Sequence, residues 1–215
     1  MPFPSSISWG TNMVIWSILT QQAWCELQRR GRLRAARRHV PKDFLCPYLW
    51  MVEQMQRRLT TPRPTKQAMP IWAWHQWNGQ RRKPDLRSSG HLPREEKGVR
   101  LDLEVAAERV LLSDFDLWHY VLNYWYLPEH EEAGEAFERK LARCGLSFYK
   151  CDHQHPLPHS QYRQKIEKSW ERVFDIGWSD RQHAIASPPR QKSIQATLWE
   201  IRSADVVNAK EFTAR

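Results

Sequence analysis

Twelve tryptophans in a chain of 215 residues restrict its fold more than any other feature of the sequence. Each indole carries about 150–250 Å² of surface that is costly to leave in water. We therefore expect several of them to line a hydrophobic core or an aromatic-walled cleft. The chain is long enough to build such a core, in one large domain or two small ones. No apolar run approaches the ~20 residues that a membrane-spanning helix needs.

One predicted β-strand is unusually aromatic. The segment Pro70–Trp77 (PIWAWHQW) alternates, so that its even-numbered side chains Trp72, Trp74 and Gln76 point to one side and the others to the opposite side. Indoles therefore stand on both faces of this strand. Three further segments have strand patterning: Val14–Leu19, Val99–Val105 and Ile194–Ile201.

Helical spacing of apolar residues predicts helices between these strands. The first covers Gln21–Arg30, with Thr20 as its N-cap and Gly31 as its stop. The others are residues 47–59, a helix that follows Ser113 as N-cap, Glu131–Arg143 and Ser160–Phe174. Because strands and helices are mixed without a regular βαβ rhythm, we predict one α+β domain over residues 13–215. The turn-rich residues 1–12 are interpreted as a flexible leader.

The chain carries a formal net charge of +9, which favours an anionic partner, nucleic acid above all. One basic run is Arg29–Arg38. Another lies in the long polar loop 78–98 directly after the aromatic strand, with Arg81, Arg82, Lys83 and Arg87. Cations contact phosphates and aromatic rings stack on bases or nicotinamide, so this loop is a candidate nucleic-acid surface. The alternative is an exposed loop that its charges keep soluble.

Thiols and imidazoles are concentrated late in the chain, at Cys144, Cys151, His153, His155 and His159. These side chains suit zinc, but the spacing is not that of a zinc finger, and a solvated histidine-rich loop is the preferred alternative. The four cysteines are irregularly spaced and no export signal is recognised, so we expect reduced thiols and a cytoplasmic protein. Walker, GxGxxG, HExxH and GxSxG motifs are absent from the sequence.

The stretch VLLSDFDLWHYVLNYW sets polar residues beside an apolar helical stripe. Helix capping explains Ser113 and Asp116. It leaves Asp114 and the His119–Asn123 stripe unexplained. His119 is a candidate acid or base, because imidazole titrates near neutral pH. The alternative is a capped helix whose polar face is in water.

Several motifs together resemble a bacterial family of unknown function over nearly the whole chain. They are IWSILTQQAWxxLxxxGxL, PIWAW followed by KPDLR, VLLSDFDLWHYVLN, SWERVFDI and IQATLWEI. A more distant similarity is to the DNA-targeting ADP-ribosyltransferase toxins, in which an acidic strand leads to an "SD" turn and a late strand reads QAE. RNA 2′-phosphotransferases share that fold and use arginine and histidine.

The similarity to the toxins implies a split, twisted β-sheet with flanking helices that binds NAD⁺ as a substrate. It places the cofactor-binding groups at Trp16, Ser17, Thr20, Trp74, His75 and Gln195. Thr197 stands where the toxins have the catalytic glutamate of QAE, so the similarity leaves Glu200 as the candidate carboxylate. It places Asp114 and His119 as acid–base or supporting groups. Ser17 stands where many relatives have a histidine or arginine.

The sequence therefore carries two functional hypotheses. The first is an NAD-dependent, ADP-ribosyltransferase-like protein that modifies DNA or RNA, as a bacterial toxin or a phage-defence effector. The second is a non-catalytic module on the same fold that binds nucleic acid or protein. Thr197 in place of glutamate favours the second hypothesis.

Overall fold

A computed structural model describes residues 11–180 and 185–215. Residues 1–10 of the predicted leader lie outside the described residues, and the first strand begins at Asn12. The described residues contain ten strands: β1 (Asn12–Thr20), β2 (Arg32–Leu33), β3 (Ala35–Ala36), β4 (Ala68–Met69), β5 (Ile71–Gln76), β6 (Lys97–Ala106), β7 (Leu111–Asp114), β8 (Ile194–Leu198), β9 (Ile201–Arg202) and β10 (Val206–Thr213). They also contain five α-helices: α1 (Gln21–Arg30), α2 (Leu45–Arg58), α3 (Phe115–Leu122), α4 (Glu131–Ala142) and α5 (Ser160–Ser169).

Six of the strands form one antiparallel sheet in the order β10-β6-β1-β5-β8-β7. The four short strands make two small ladders, β2 with β9 and β3 with β4. Helices and antiparallel strands are thus combined in one domain, and the predicted α+β class is confirmed. No helix in the described part of the chain is long and apolar enough to cross a membrane.

The main sheet consists of two three-stranded halves that are joined weakly. β1 pairs with β6 along its whole length, from Asn12 to Thr20. Between β1 and β5 the described residues contain a single registered pair, Trp16 with Trp74. Beside this pair the Ser17 hydroxyl donates a 3.0 Å hydrogen bond to the Trp72 carbonyl. We name this junction between β1 and β5 the seam.

The two faces of the sheet are covered by different cores. One face packs against α1 through buried aliphatic residues that include Ile15, Leu101 and Leu27. On the opposite face, Trp72 of β5 packs against a larger core that the helices build around Met51 and Trp118. Because this helical layer lies over β5, β7 and β8, the face is left open near the seam.

Local signals set the helix ends, and one prediction is wrong. Thr20 caps α1 by accepting from the Ala23 N–H, and Gly31 ends it with φ of 70°, as predicted. Ser113 is not the cap of α3, because its hydroxyl makes no hydrogen bond to the described residues. The Asp114 carboxylate caps α3 instead by accepting from the backbone N–H groups two and three residues further along the chain.

The late strand is shorter than predicted. Pairing with β5 and β7 ends at Leu198, so Trp199 and Glu200 leave the sheet. The chain then pairs again, as β9 with β2, where Arg202 lies opposite Arg32. Because the chain leaves the sheet after Leu198, the direction of the Glu200 side chain is not set by the alternation of β8.

Candidate functional site: an aromatic cleft at the seam

A cleft of about 600 Å³ opens beside the seam, and we name it the aromatic cleft. Strand β5 and the turn after it contribute Trp72, Trp74 and Trp77 to its wall. Its other lining side chains include Phe44, Tyr48, His91, Phe115, Trp118 and Leu122. A concave, mostly aromatic site with a few polar groups is the usual form of a small-molecule site.

The strand register brings the cleft residues to one face of the sheet. Trp74 pairs with Gln195 across β5 and β8, and Gln195 pairs with Ser113 across β8 and β7. Directly paired residues of antiparallel strands project to the same face. Trp72 lies two residues from Trp74 and therefore joins them. The alternation of PIWAWHQW predicted this shared face for the two indoles correctly.

Edge-to-face contacts between aromatic rings hold the wall together. The Trp74 ring lies 4.5 Å from Trp77 and 5.0 Å from Phe115, both in T-shaped geometry. The Trp72 ring lies 5.1 Å from Trp118 and 5.6 Å from Tyr48. Such pairs add about 0.5–1.5 kcal/mol each beyond area burial. The wall is therefore a set of mutually fixed rings.

Several buried polar atoms on this face lack hydrogen-bond partners among the residues that the structure describes. They include the Gln195 Oε1, the Ser113 Oγ and the Nε1 atoms of Trp16 and Trp72. A buried acceptor without a hydrogen bond is costly and rare in folded proteins. Because Gln195 lines the cleft, a ligand N–H or O–H placed there would satisfy its carbonyl oxygen.

A second hollow of about 490 Å³ continues the first along β1, and we name it the side cleft. The two share Ile18, Tyr48 and Trp72 in their linings. The side cleft adds polar residues at one end, including Thr20, Gln22, Glu26, Arg34 and His39. The joined clefts thus have a strongly aromatic part and a largely apolar part whose lining also carries these polar groups.

The structure brings three of the predicted cofactor-binding residues to these clefts. Trp74 and Gln195 line the aromatic cleft, and Thr20 lines the side cleft. Ser17 and Trp16 are buried in the seam and line neither cleft. Ser17 instead links the two halves of the sheet through its bond to the Trp72 carbonyl.

His75 lies in the same strand but outside both linings. Its ring and carbonyl contact the Arg81 guanidinium, which also donates to the Val14 carbonyl and lies over the Trp16 ring. Burial and the adjacent Arg81 charge lower the pKa of His75 to about 4. The imidazole is therefore neutral at neutral pH.

Glu200 lies away from the aromatic cleft and is held by two ion pairs. Its Oε2 is 2.7 Å from the Arg34 guanidinium and its Oε1 is 2.9 Å from Arg202. Burial acts to raise the pKa of Glu200, but the hydrogen bonds from Arg202 and Arg34 outweigh it and leave the pKa below its usual value. Both carboxylate oxygens are thus occupied.

Asp114 is also engaged by its surroundings. Its Oδ2 lies 2.8 Å from the Nζ of Lys192, and both side chains are almost fully buried. His119 is different, because it is exposed; it does not line the aromatic cleft, but its ring lies 5.0 Å from that of Phe115, which does. Its Nδ1 faces the carbonyls of Phe115 and Asp116 at 3.1 and 3.2 Å. That contact places a proton on Nδ1 and leaves Nε2 as an acceptor.

The predicted basic loop is largely neutralised by its own neighbourhood. Lys83 Nζ lies 2.5 Å from Asp102. Arg87 pairs with Asp85 at 2.7 Å, and both side chains are exposed. Arg81 is held in the contacts with His75. Arg82 remains exposed.

The residues of the histidine-rich segment are separated by their packing. The His153 Nε2 contacts the Val121 carbonyl at 2.6 Å. Cys144 Sγ lies 3.6 Å from the Tyr162 hydroxyl, and His155 contacts Asp152. Over residues 11–180 and 185–215 no group of three or more such side chains is arranged to hold a metal ion.

Sequence reasoning missed some of the wall. Helical spacing marks Tyr48 and Trp118 only as helix core residues, yet they also line the cleft. Asn78 lines it through a tight turn, in which Trp77 and Gln80 exchange backbone hydrogen bonds of 2.9 and 3.0 Å. The Asn78–Gly79 dipeptide has φ of 45° and 74°. Asn-Gly is a strong signal for such a turn, and it could have located this turn within the predicted loop.

Comparison with known protein families identifies the chain at the family level. Residues 14–207 match the domain of unknown function DUF3841. The chain belongs to this family. The match spans both halves of the sheet and the clefts of this DUF3841 domain. Searches among curated proteins and among solved structures found no match.

Proposed function

We propose that this DUF3841 protein binds NAD⁺ in the joined clefts and acts as an ADP-ribosyltransferase-like enzyme on nucleic acid, in the cytoplasm, as a toxin or phage-defence effector. One observation carries the proposal: the aromatic cleft and the side cleft share three lining residues along the seam of a two-part sheet, and the side cleft adds polar groups such as Thr20 and Arg34. NAD⁺ has a matching form, with a planar nicotinamide at one end and a polar adenosine diphosphate at the other.

The polar groups of the aromatic cleft suit a carboxamide. The Gln195 Oε1 lacks a partner and accepts hydrogen bonds, and the nicotinamide amide donates two. The rings of Trp74 and Phe115 supply flat apolar surface for the pyridine ring. In the side cleft, Arg34 is the candidate cation for the pyrophosphate; Glu200 engages its Nε and one terminal nitrogen, and the other terminal nitrogen would contact the phosphate.

The proposed reaction breaks the bond between the nicotinamide nitrogen and the ribose C1′. Nicotinamide leaves with the bonding electron pair, and an oxygen or nitrogen of the nucleic acid forms the new bond to C1′ and loses a proton. His119 is the candidate acceptor of that proton, because its Nε2 is free for the task and its ring lies against Phe115. The net charge of +9 supports an anionic target.

A second function is favoured by a specific observation. The residues that line the aromatic cleft include no carboxylate in the described part of the chain. The side cleft contains Glu26 alone, which lies 3.4 Å from Arg30, and Glu200 is held by two arginines. A developing oxocarbenium ion is usually stabilised by a carboxylate. The alternative is therefore a module that binds a nucleotide without transferring it.

Release of nicotinamide separates the two functions. The purified protein would be incubated with NAD⁺ and either single-stranded DNA or RNA, and free nicotinamide measured by liquid chromatography. The enzyme predicts release that requires the wild-type protein and a nucleic acid, and that falls in the Gln195→Ala variant. Binding of NAD⁺ without release with either nucleic acid would support the module. Absence of both binding and release would reject both functions.

A further inference from the structure

A cluster of arginines lies next to the polar residues of the side cleft. It surrounds a hollow of about 290 Å³, which we name the arginine hollow. Its lining consists of Arg30, Arg32, Arg34, Arg38 and a single carboxylate, Glu26. Glu26 and Arg34 also belong to the side cleft, so the two hollows are adjacent.

Two of the four arginines have a carboxylate partner. Arg30 lies 3.4 Å from Glu26, and Arg34 is paired with Glu200 at 2.7 Å. Arg32 and Arg38 are exposed and have no ion pair among the residues that the structure describes. The hollow therefore differs from the loop that contains Lys83 and Arg87, in which carboxylates neutralise the cations.

One arginine of the hollow, Arg32, faces another cation across the small β2–β9 ladder. Arg32 and Arg202 lie directly opposite each other in the β2–β9 ladder. Like charges at opposed positions of an antiparallel pair destabilise the sheet. A polyanion bound at the hollow would relieve this repulsion.

Glu200 holds one arginine of the hollow, Arg34, together with Arg202, which lies outside the lining. One oxygen receives both the Nε and a terminal nitrogen of Arg34, at 2.8 and 2.7 Å, and the other receives Arg202 at 2.9 Å. Glu200 itself is anchored because its carbonyl accepts from Arg109 at 3.2 Å. The carboxylate thus fixes the position of Arg34 at the boundary between the hollow and the side cleft.

We propose that the arginine hollow binds phosphate groups of a nucleic-acid backbone and that Glu200 is a positioning residue for Arg34. Planar guanidinium groups match phosphate oxygens in geometry and charge. Backbone contacts of this kind fix the register of the nucleic acid without reading its sequence. The inference rests on the proposed function only for the choice of nucleic acid as partner.

The test measures binding of a short fluorescein-labelled oligothymidylate by fluorescence anisotropy over a salt series. The double variant Arg32→Gln, Arg38→Gln is expected to bind about tenfold more weakly or worse at low salt. The slope of the logarithm of the binding constant against the logarithm of the salt concentration should become less negative by about 0.7 for each phosphate that the variant no longer neutralises. The control is Arg57→Gln, Arg143→Gln, which removes the same charge from two exposed arginines outside the hollow. Equal weakening in the two double variants would overturn the site.

Glu200→Gln tests the positioning role through the sign of its effect. The substitution makes the protein more positive, so general electrostatic attraction alone predicts tighter binding. Loss of the fixed geometry of Arg34 predicts weaker binding, which we expect. Tighter binding at every salt concentration would overturn the role. Thermal unfolding of each variant confirms that it is folded.

NAD⁺ titration of the same variants identifies the source of the phosphates. The Kd for NAD⁺ is expected to be unchanged in Arg32→Gln, Arg38→Gln. A parallel loss of affinity for NAD⁺ and for the oligonucleotide would assign the hollow to the dinucleotide and overturn the inference. If the wild-type protein does not bind NAD⁺, the proposed function fails, while the oligonucleotide comparison still decides the site.

Discussion

Trp16 and Trp74 form the single registered pair between β1 and β5 in the described residues. Each belongs to a different half of the sheet, and the aromatic cleft opens where the two strands diverge. Trp74 lines the cleft, whereas Trp16 is buried and does not line it. The weakest junction of the sheet is therefore also the wall of the candidate site.

The Ser17 hydroxyl is expected to stabilise this junction. It is fully buried and donates to the Trp72 carbonyl at 3.0 Å. Ser17→Ala should lower the free energy of unfolding by about 1–2 kcal/mol, because one buried hydrogen bond is removed. Urea denaturation measures this free energy. The control is Ser88→Ala at an exposed serine, whose free energy of unfolding should stay within about 0.5 kcal/mol of wild type. An equal, small effect in both variants would contradict a role for Ser17.

Gln195→Leu should affect stability and binding in different ways. The Gln195 Oε1 is buried without a partner, so an apolar side chain of similar size should leave the free energy of unfolding unchanged or raise it. NAD⁺ affinity should fall about fivefold or more, because the hydrogen bond to the ligand is removed. Denaturation and calorimetric titration of one preparation give both quantities. Loss of stability with unchanged affinity would contradict the proposed contact.

Gly79→Ala should disrupt the turn that carries Asn78 into the cleft. A Cβ at Gly79 would lie 2.1 Å from the Arg190 carbonyl oxygen, and φ is 74°. The control is Gly145→Ala, where φ is 69° and no atom lies within 4 Å of the added carbon. Both substitutions carry the cost of positive φ, about 1 kcal/mol. We expect Gly79→Ala to lose more unfolding free energy than Gly145→Ala, because only its Cβ would clash with the Arg190 carbonyl. Equal losses in the two variants would show that this clash is absent.

Acid should destabilise the protein partly through His75. Its pKa is lowered to about 4 by burial and by Arg81, so the folded protein binds this proton less readily than the unfolded chain. The stabilising contribution is complete above the ordinary histidine pKa of about 6.5 and is lost as the pH falls toward about 4. Urea denaturation between about pH 7 and pH 5 should show a smaller loss of stability for His75→Gln than for wild type. Equal losses would contradict this assignment.

Helix ends and the alternation of side chains along a strand could be predicted from the sequence, because residues close together in the chain determine them. The ends of α1 follow from Thr20 and Gly31, and the alternation of PIWAWHQW places Trp72 and Trp74 on one face. The cap of α3 was predicted one residue too early, because serine and aspartate both cap helices. Lys192, which is distant in sequence, favours Asp114 over Ser113 as the cap because it pairs with the second carboxylate oxygen of Asp114.

Contacts between distant segments could not be predicted in this way. Tyr48 reaches the cleft because α2 packs over β5, and periodicity shows only that the residue faces something apolar. The ion pairs of Glu200 depend on the β2–β9 ladder, whose two-residue strands have no period to detect. The catalytic roles predicted for Glu200, Asp114 and His119 stay predictions, and His119 has the freest geometry of the three.

Calorimetric titration with NAD⁺ tests the central claim most directly, with the wild-type protein, Trp74→Ala and Trp125→Ala. Trp74 lines the aromatic cleft, whereas Trp125 is 38% exposed and lies outside it. We expect wild type and Trp125→Ala to bind with the same Kd, and Trp74→Ala to bind about tenfold more weakly or worse, because a stacking ring contributes about 1–3 kcal/mol. No binding by the wild-type protein, or equal weakening in the two variants, would contradict a dinucleotide site at the seam.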